Sequence, residues 1–207
     1  MSKQINRSKI SVGRVGAVRR NFAQLVFKLI GWEMGGRVPQ HRKCVIIAVP
    51  HTSSVDFFMM ILMSWHFGFR INWMGTSGLF RWPFGWFFRR LGGIPIYRQE
   101  RRNTVEQVVA ALNEADDMFL VLSPEGTRSH RDHWKSGFYR MAEGANVPIY
   151  LGYLDFATKR AGVRPEPVFP TGDIEADMAE IGAFYEGMEG FKRGQVSKPR
   201  LNPQSQR

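Results

Sequence analysis

One change of hydrophobic period constrains this chain more than any other feature. Cys44 to Val49 (CVIIAV) is short, β-branched and continuously apolar, the pattern of a buried strand. It runs directly into the polar stretch PHTSSVD and then into the apolar segment FFMMILMSWHF, residues 57–67. Ser53 and Asp56 stand at the spacing of a capping box where that second segment opens, so the order is strand, tight polar turn, helix.

Further elements follow in the same alternation. Ile94 to Tyr97 reads as a strand, and Val105, Val108, Val109 and Leu112 mark one face of a helix over 104–113. Met118 to Leu122 (MFLVL) is a third strand, ending at SPEGTRS, and Val147 to Leu154 is a fourth. Ile174, Met178, Ile181, Tyr185 and Met188 line a late amphipathic helix whose other side is acidic. This alternation predicts an α/β fold, a single domain with a central, mostly parallel or mixed sheet flanked by helices. Ligands of such sheets gather beyond the carboxyl ends of the strands, where PHTSSVD and SPEGTRS both fall.

Ahead of the sheet, Val15, Val18, Phe22, Leu25, Val26, Leu29 and Ile30 recur at helical spacing, with Arg19, Arg20 and Lys28 among them. This N-terminal basic amphipathic helix has two possible placements, in a membrane interface or packed on the domain. The expected organisation is therefore a basic amphipathic segment over 1–43, the α/β domain over 44–191 and a solvated, disordered polar basic tail over 192–207.

Charge narrows the choice of partner. The chain of 207 residues carries a formal net charge of +11 and is 43% hydrophobic. Residues 1–43 hold ten basic side chains and one acidic, residues 192–207 hold five and none, and the body between them is slightly acidic. A nucleic-acid-binding protein would spread its cations along a folded face, so the segment count opposes that alternative and no nucleic-acid partner is expected. An anionic membrane surface fits better. Arg70 to Arg102 adds a local excess of cations, and in Phe80 to Phe88 (FRWPFGWFF) six of nine residues are aromatic, bordered by Arg81, Arg89 and Arg90 in the manner of a headgroup boundary. The longest apolar stretch, Phe57 to Met63, is far below the roughly 20 residues of a membrane span. The N-terminus lacks the apolar region of a secretion signal, and Cys44 is the only cysteine, so a reducing, cytoplasmic setting is expected.

Two turns hold the candidate chemistry. His51 and Asp56 flank a strand-to-helix turn, where the carboxylate can fold back on the imidazole, fix its tautomer and make it a general base near neutral pH. Asp56 can also simply cap the helix. Ser123 to Ser129 combines a strand end, hydroxyls, Gly126 for close backbone approach and Arg128, whose planar fork suits a phosphate. Lys135 is a further candidate contact to a phosphate. His130 and His133 lack the partners of a zinc site, so no metal is expected. Neither a G-x-S-x-G elbow nor a Walker-type phosphate loop is present.

In these blocks the sequence resembles the glycerolipid acyltransferases typified by 1-acylglycerol-3-phosphate acyltransferase. His51 to Asp56 matches the family's His and Asp separated by four residues. Gly93-Ile94-Pro95-Ile96-Tyr97-Arg98 is similar to its second block, Pro124 to Ser129 to its third and Val147-Pro148-Ile149 to its fourth, in the family's order. Two positions depart from the pattern. Tyr97 replaces a common acidic residue, and Tyr150-Leu151 follows the fourth block where a second proline is usual.

The resemblance implies transfer of a fatty acyl group from an acyl thioester, acyl-CoA or acyl-ACP, to the hydroxyl of a lysophosphatidate-type glycerolipid. It implies His51 and Asp56 as the general-base pair, with no covalent intermediate and no cofactor beyond the thioester co-substrate. Arg98 and Arg128 would hold the acceptor phosphate, Glu125, Gly126 and Thr127 would shape its site, and Lys135 would add a contact. The lysophospholipid acceptor and the anionic membrane place the enzyme peripherally on the cytoplasmic face. Another lyso-lipid, such as a lyso-ornithine lipid, is the alternative acceptor, to which Tyr97 lends weight.

Overall fold

In a computed structural model, described for residues 15–96 and 103–201, the chain forms one mixed seven-stranded sheet between two layers of helices. The elements run in the order α1 (Ala17–Leu29), β1 (Glu33–Gly36), β2 (Lys43–Val49), α2 (Ser54–Phe67), β3 (Asn72–Thr76), α3 (Gly85–Arg90), β4 (Gly93–Ile96), α4 (Thr104–Glu114), β5 (Met118–Leu122), α5 (Gly137–Gly144), β6 (Ile149–Asp155), β7 (Arg160–Val163) and α6 (Ile174–Tyr185). A 3-10 turn over Ser77–Phe80 leads from β3 towards α3. The strand order is β1-β7-β6-β2-β5-β3-β4, and every neighbouring pair is parallel except β6 with β7.

The continuous apolar runs become central strands because each residue meets a helix layer on one face or the other. In β2, Val45, Ile47 and Val49 join the core under α4, α5 and α6, while Cys44 and Ile46 join the core under α1, α2 and the 77–90 segment. Met118 and Leu120 of β5 face the first core, Phe119 and Val121 the second. This two-sided burial explains why neither strand alternates polar with apolar residues.

Three strands went unread in the sequence, all short and glycine-bearing. β1 (EMGG) and β7 (RAGV) approach so closely that a Cβ on Gly36 would lie 1.7 Å from the Val163 carbonyl oxygen. Glycine here permits backbone contact, so the pair lacks the β-branched signature of a strand. β3 (NWMGT) carries a polar residue at each end and a glycine within.

Two boundaries differ from expectation. Sheet formation begins before residue 44, because β1 pairs in parallel with β7 along its whole length. Residues 192–201 are not a solvated tail: Ser197 and Leu201 are buried, and Leu201 forms a bridge with Trp134. The polar composition concealed this, because most of the anchoring runs through backbone groups. Residues 202–207 lie outside the described residues.

Helix α1 buries Ala23 and Phe27 but turns Val18, Phe22, Leu25 and Leu29 outward. Phe27 packs edge-on against His66 of α2. Replacing Phe27 by Ala should cost about 3 kcal/mol of stability in urea unfolding. Leu25→Ala on the outer stripe should stay within about 0.5 kcal/mol; equal losses would mean that α1 buries its other face.

Candidate active site

Residue register brings the two polar turns together. Ile47 of β2 pairs with Leu122 of β5, so the chain leaves these neighbouring parallel strands at nearly the same level. The turn over 50–53 and the loop from Ser123 onward therefore sit side by side at the carboxyl edge of the sheet. The backbone N–H of His51 donates to Glu125 Oε2 across 2.7 Å, which ties one turn directly to the other.

Asp56 has two local tasks. Its Oδ2 accepts the backbone N–H groups of Thr52 at 2.6 Å and Ser53 at 2.7 Å, while the Ser53 hydroxyl accepts from the Val55 N–H, completing the capping box that starts α2. The same oxygen lies 3.6 Å from His51 Nδ1. The Asp56 side chain is 2% exposed, whereas the His51 ring is 30% exposed. The carboxylate is thus fixed by the backbone, and Nδ1 is the ring nitrogen that faces it. Burial holds the His51 pKa below its ordinary value of 6.5; Asp56 works against that shift and Arg128 adds to it.

Glu125 is almost fully buried and acts as a strut between three segments. Oε2 takes the His51 N–H and faces the Ser123 hydroxyl at 3.4 Å, and Oε1 takes the Ser197 N–H at 3.1 Å. Burial raises its pKa from the ordinary value, and hydrogen bonds from the Ser197 and His51 backbone and from the Ser197 and Ser123 side chains restrain that rise. Gly126 adopts φ +64°, and a Cβ there would fall 2.9 Å from Lys135 Nζ, so the exposed Lys135 side chain lies across the glycine backbone. Thr127 Oγ1 accepts from the Ser129 N–H and shapes the loop. The exposed Arg128 guanidinium reaches back to hydrogen-bond the Ser54 hydroxyl at the first turn of α2.

His51, Asp56, Glu125, Gly126, Thr127, Arg128 and Lys135 accordingly belong to one edge of the molecule. Arg98, with Tyr97, lies outside the described residues. β4 runs parallel to β3, so Ile96, which precedes them, is at that same edge of the sheet. The Val147-Pro148-Ile149 block lies elsewhere. The Val45 N–H donates to the Pro148 carbonyl and Ile149 pairs with Val45, which puts this block at the opposite, amino end of the sheet. Val147 and Ile149 are buried there, and their part is packing.

Sequence reasoning missed the third wall of the site, the segment 190–201. The Lys192 N–H donates to Thr52 Oγ1 at 3.1 Å, the Arg131 N–H to Ser197 Oγ at 3.1 Å and the Trp134 N–H to the Arg200 carbonyl at 2.8 Å. His130 Nδ1 lies 3.0 Å from the Val196 carbonyl oxygen. Among the described residues, no group of three His, Cys, Asp or Glu side chains could hold a metal ion. Ser54 was also missed as the partner of Arg128, although its place inside the His51–Asp56 turn was visible.

Glu125→Ala would leave the His51 and Ser197 amides without their acceptor, a loss of about 2 kcal/mol. Amide hydrogen exchange should then speed up at both His51 and Ser197. Acceleration at only one of them would show that the strut does not couple the two segments. Arg128→Ala should raise the His51 pKa, read from the imidazole resonances by NMR titration; an unmoved or lowered value would contradict the electrostatic contribution of the guanidinium.

The fold is similar to that in the crystal structure of the 1-acyl-sn-glycerophosphate (LPA) acyltransferase PlsC from Thermotoga maritima. The TM-score is 0.54, with 19% sequence identity, over 79% of this chain and 73% of that one. No curated protein matches the chain at a significant level. A likeness at this identity establishes the architecture alone. The match to a family model goes further: the model described as Acyltransferase covers residues 33–151, from the first residue of β1 into β6 and through both polar turns. Because that match takes in more than half of the sequence, the chain belongs to the acyltransferase family.

Proposed function

We propose that this protein transfers a fatty acyl group from an acyl thioester, acyl-CoA or acyl-ACP, to the free hydroxyl of a lysophosphatidate-type glycerolipid. The observation that carries this reading is the partly exposed His51 ring beside the backbone-locked Asp56 carboxylate, within electrostatic reach of the guanidinium of Arg128. A buried carboxylate behind an accessible imidazole is the arrangement a general base requires.

In the proposed step, the acceptor oxygen attacks the thioester carbonyl as His51 Nε2 takes its proton. Asp56 stabilises the resulting imidazolium. The tetrahedral intermediate collapses by breaking the C–S bond, and the proton on His51 passes to the departing thiolate. No acyl-enzyme forms. Arg128 holds the acceptor phosphate, assisted by Lys135 and by Arg98, while Glu125, Gly126 and Thr127 set the shape of the loop. Because Arg128 depresses the His51 pKa in the free protein, a phosphate bound to Arg128 offsets that effect and makes His51 a stronger base when the acceptor is in place. Holding both substrates at this edge supplies much of the rate acceleration. The reading places the enzyme peripherally on the cytoplasmic face of an anionic membrane. Among the described residues, no helix is long and apolar enough to cross a bilayer.

The test is thiol release from acyl-CoA and from acyl-ACP with a panel of lyso-lipid acceptors that includes lysophosphatidate and a lyso-ornithine lipid. His51→Ala should lower kcat by a factor of about 10² to 10⁴ with the fold intact. Arg128→Ala should raise the KM for the phosphate-bearing acceptor more than that for the donor. The acid limb of kcat/KM should lie below pH 6.5, since His51 must be neutral and its pKa is lowered in the folded protein. Undiminished turnover in His51→Ala would remove the base, and preference for a phosphate-free acceptor would remove the phosphate role of Arg128.

A further inference from the structure

The two layers of helices differ in what they show to solvent. Among the described residues, fifteen large hydrophobic side chains are exposed, and all but Val38, Phe169 and Phe191 lie on the layer formed by α1, α2 and the 77–90 segment. On α1, the outward stripe of Val18, Phe22, Leu25 and Leu29 follows helical spacing, with Val18 at 84% and Leu29 at 76% exposure. In the 77–90 segment, Trp82 is 92% exposed, and Phe84 and Trp86 are two-thirds exposed.

These groups are parts of one layer. Phe27 of α1 and Phe88 of α3 both contact α2, the former through His66 and the latter through Phe57, so α2 lies between the stripe and the ring cluster. Phe58, exposed on the same helix, extends the apolar surface towards the end of α2 that begins at the His51–Asp56 turn.

Charge separates the layers as well. Residues 15–32 and 54–91 contain seven lysines and arginines and a single carboxylate, the buried Asp56. Helices α4, α5 and α6 on the opposite side contain six carboxylates and one arginine. A layer that exposes rings and aliphatic side chains among cations, with no accessible carboxylate, complements a surface that is apolar within and anionic at its boundary.

We propose that the outer surface of the α1, α2 and α3 layer docks this protein flat on an anionic phospholipid bilayer. Trp82, Phe84 and Trp86 enter the headgroup region as the main anchor, and the α1 stripe forms a second line of contact. The opposite, acidic layer faces the aqueous phase. Phe58 and the start of α2 then bring the catalytic edge to the bilayer surface, so that a lipid acceptor reaches His51 without crossing water. This deepens the proposed function, since it rests on a lipid acceptor and specifies the face that meets it.

The experiment uses vesicles of phosphatidylcholine with and without phosphatidylglycerol, and brominated lipids to quench tryptophan. The full-length chain should co-sediment with the anionic vesicles, more weakly at high salt, and brominated lipid should quench its fluorescence. The triple variant Trp82→Ser, Phe84→Ser, Trp86→Ser and, separately, Phe22→Ser with Leu25→Ser should each bind about tenfold more weakly, with unchanged unfolding transitions. Trp82→Phe with Trp86→Phe should retain binding but lose most of the quenching. Unchanged affinity in both serine variants, or quenching that persists without Trp82 and Trp86, would overturn the docking face. So would a self-association in solution that these variants abolish, because a second copy would then cover it. Turnover of a water-soluble, short-chain lysophospholipid should survive in the serine variants. A wild-type protein that binds vesicles in this way yet consumes no thioester would overturn the proposed reaction and leave the docking face standing.

Discussion

The geometry of the site depends on where the backbone spends the carboxylate of Asp56. A carboxylate buried to this degree is costly unless its lone pairs are filled, and here the Thr52 and Ser53 amides and the Ser53 hydroxyl fill them. The Ser53 amide is the N-cap donor of α2, so the act of capping the helix also fixes the charge in front of His51. The strand before the turn and the helix after it are each held in a core. Consequently the counter-charge beside His51 cannot drift without uncapping α2.

The Glu125 strut performs the equivalent task between segments distant in sequence. It joins the β2 exit, the β5 exit and the chain near Ser197, taking the backbone donors of His51 and Ser197. The His51 ring is not needed to hold the turn, because the backbone N–H does so. At the other end Ser197 contributes its hydroxyl as well, which bonds Glu125 and accepts the Arg131 amide.

The central strands and the His51–Asp56 turn were legible because their signals are local. CVIIAV and MFLVL are continuous apolar runs of strand length, and Ser53 with Asp56 keeps capping-box spacing. β1, β3 and β7 were not legible, since their pairing relies on glycine backbones such as Gly36 against Val163, which leave no apolar run. The sequence also could not disclose that Val147-Pro148-Ile149, read beside the site blocks, opens β6 at the far end of the sheet. Nor could it show that residues 192–201 fold back, because hydrogen bonds from the Lys192, Ser197 and Trp134 amides carry no side-chain signature. For α1 the periodicity was readable, but which side of the helix would be buried was decided by α2, through Phe27 and Ala23.

The folded-back segment has a consequence for how the chain tolerates shortening. Residues 192–201 follow every strand and helix of the fold in the sequence. A chain cut after α6 would keep the whole sheet and both helix layers, yet Glu125 would lack one of its two amide partners and Thr52 its contact with Lys192. The turn that carries His51 is thus braced from outside the sheet and its helix layers, by the stretch of chain whose composition gave the least reason to expect any structure at all.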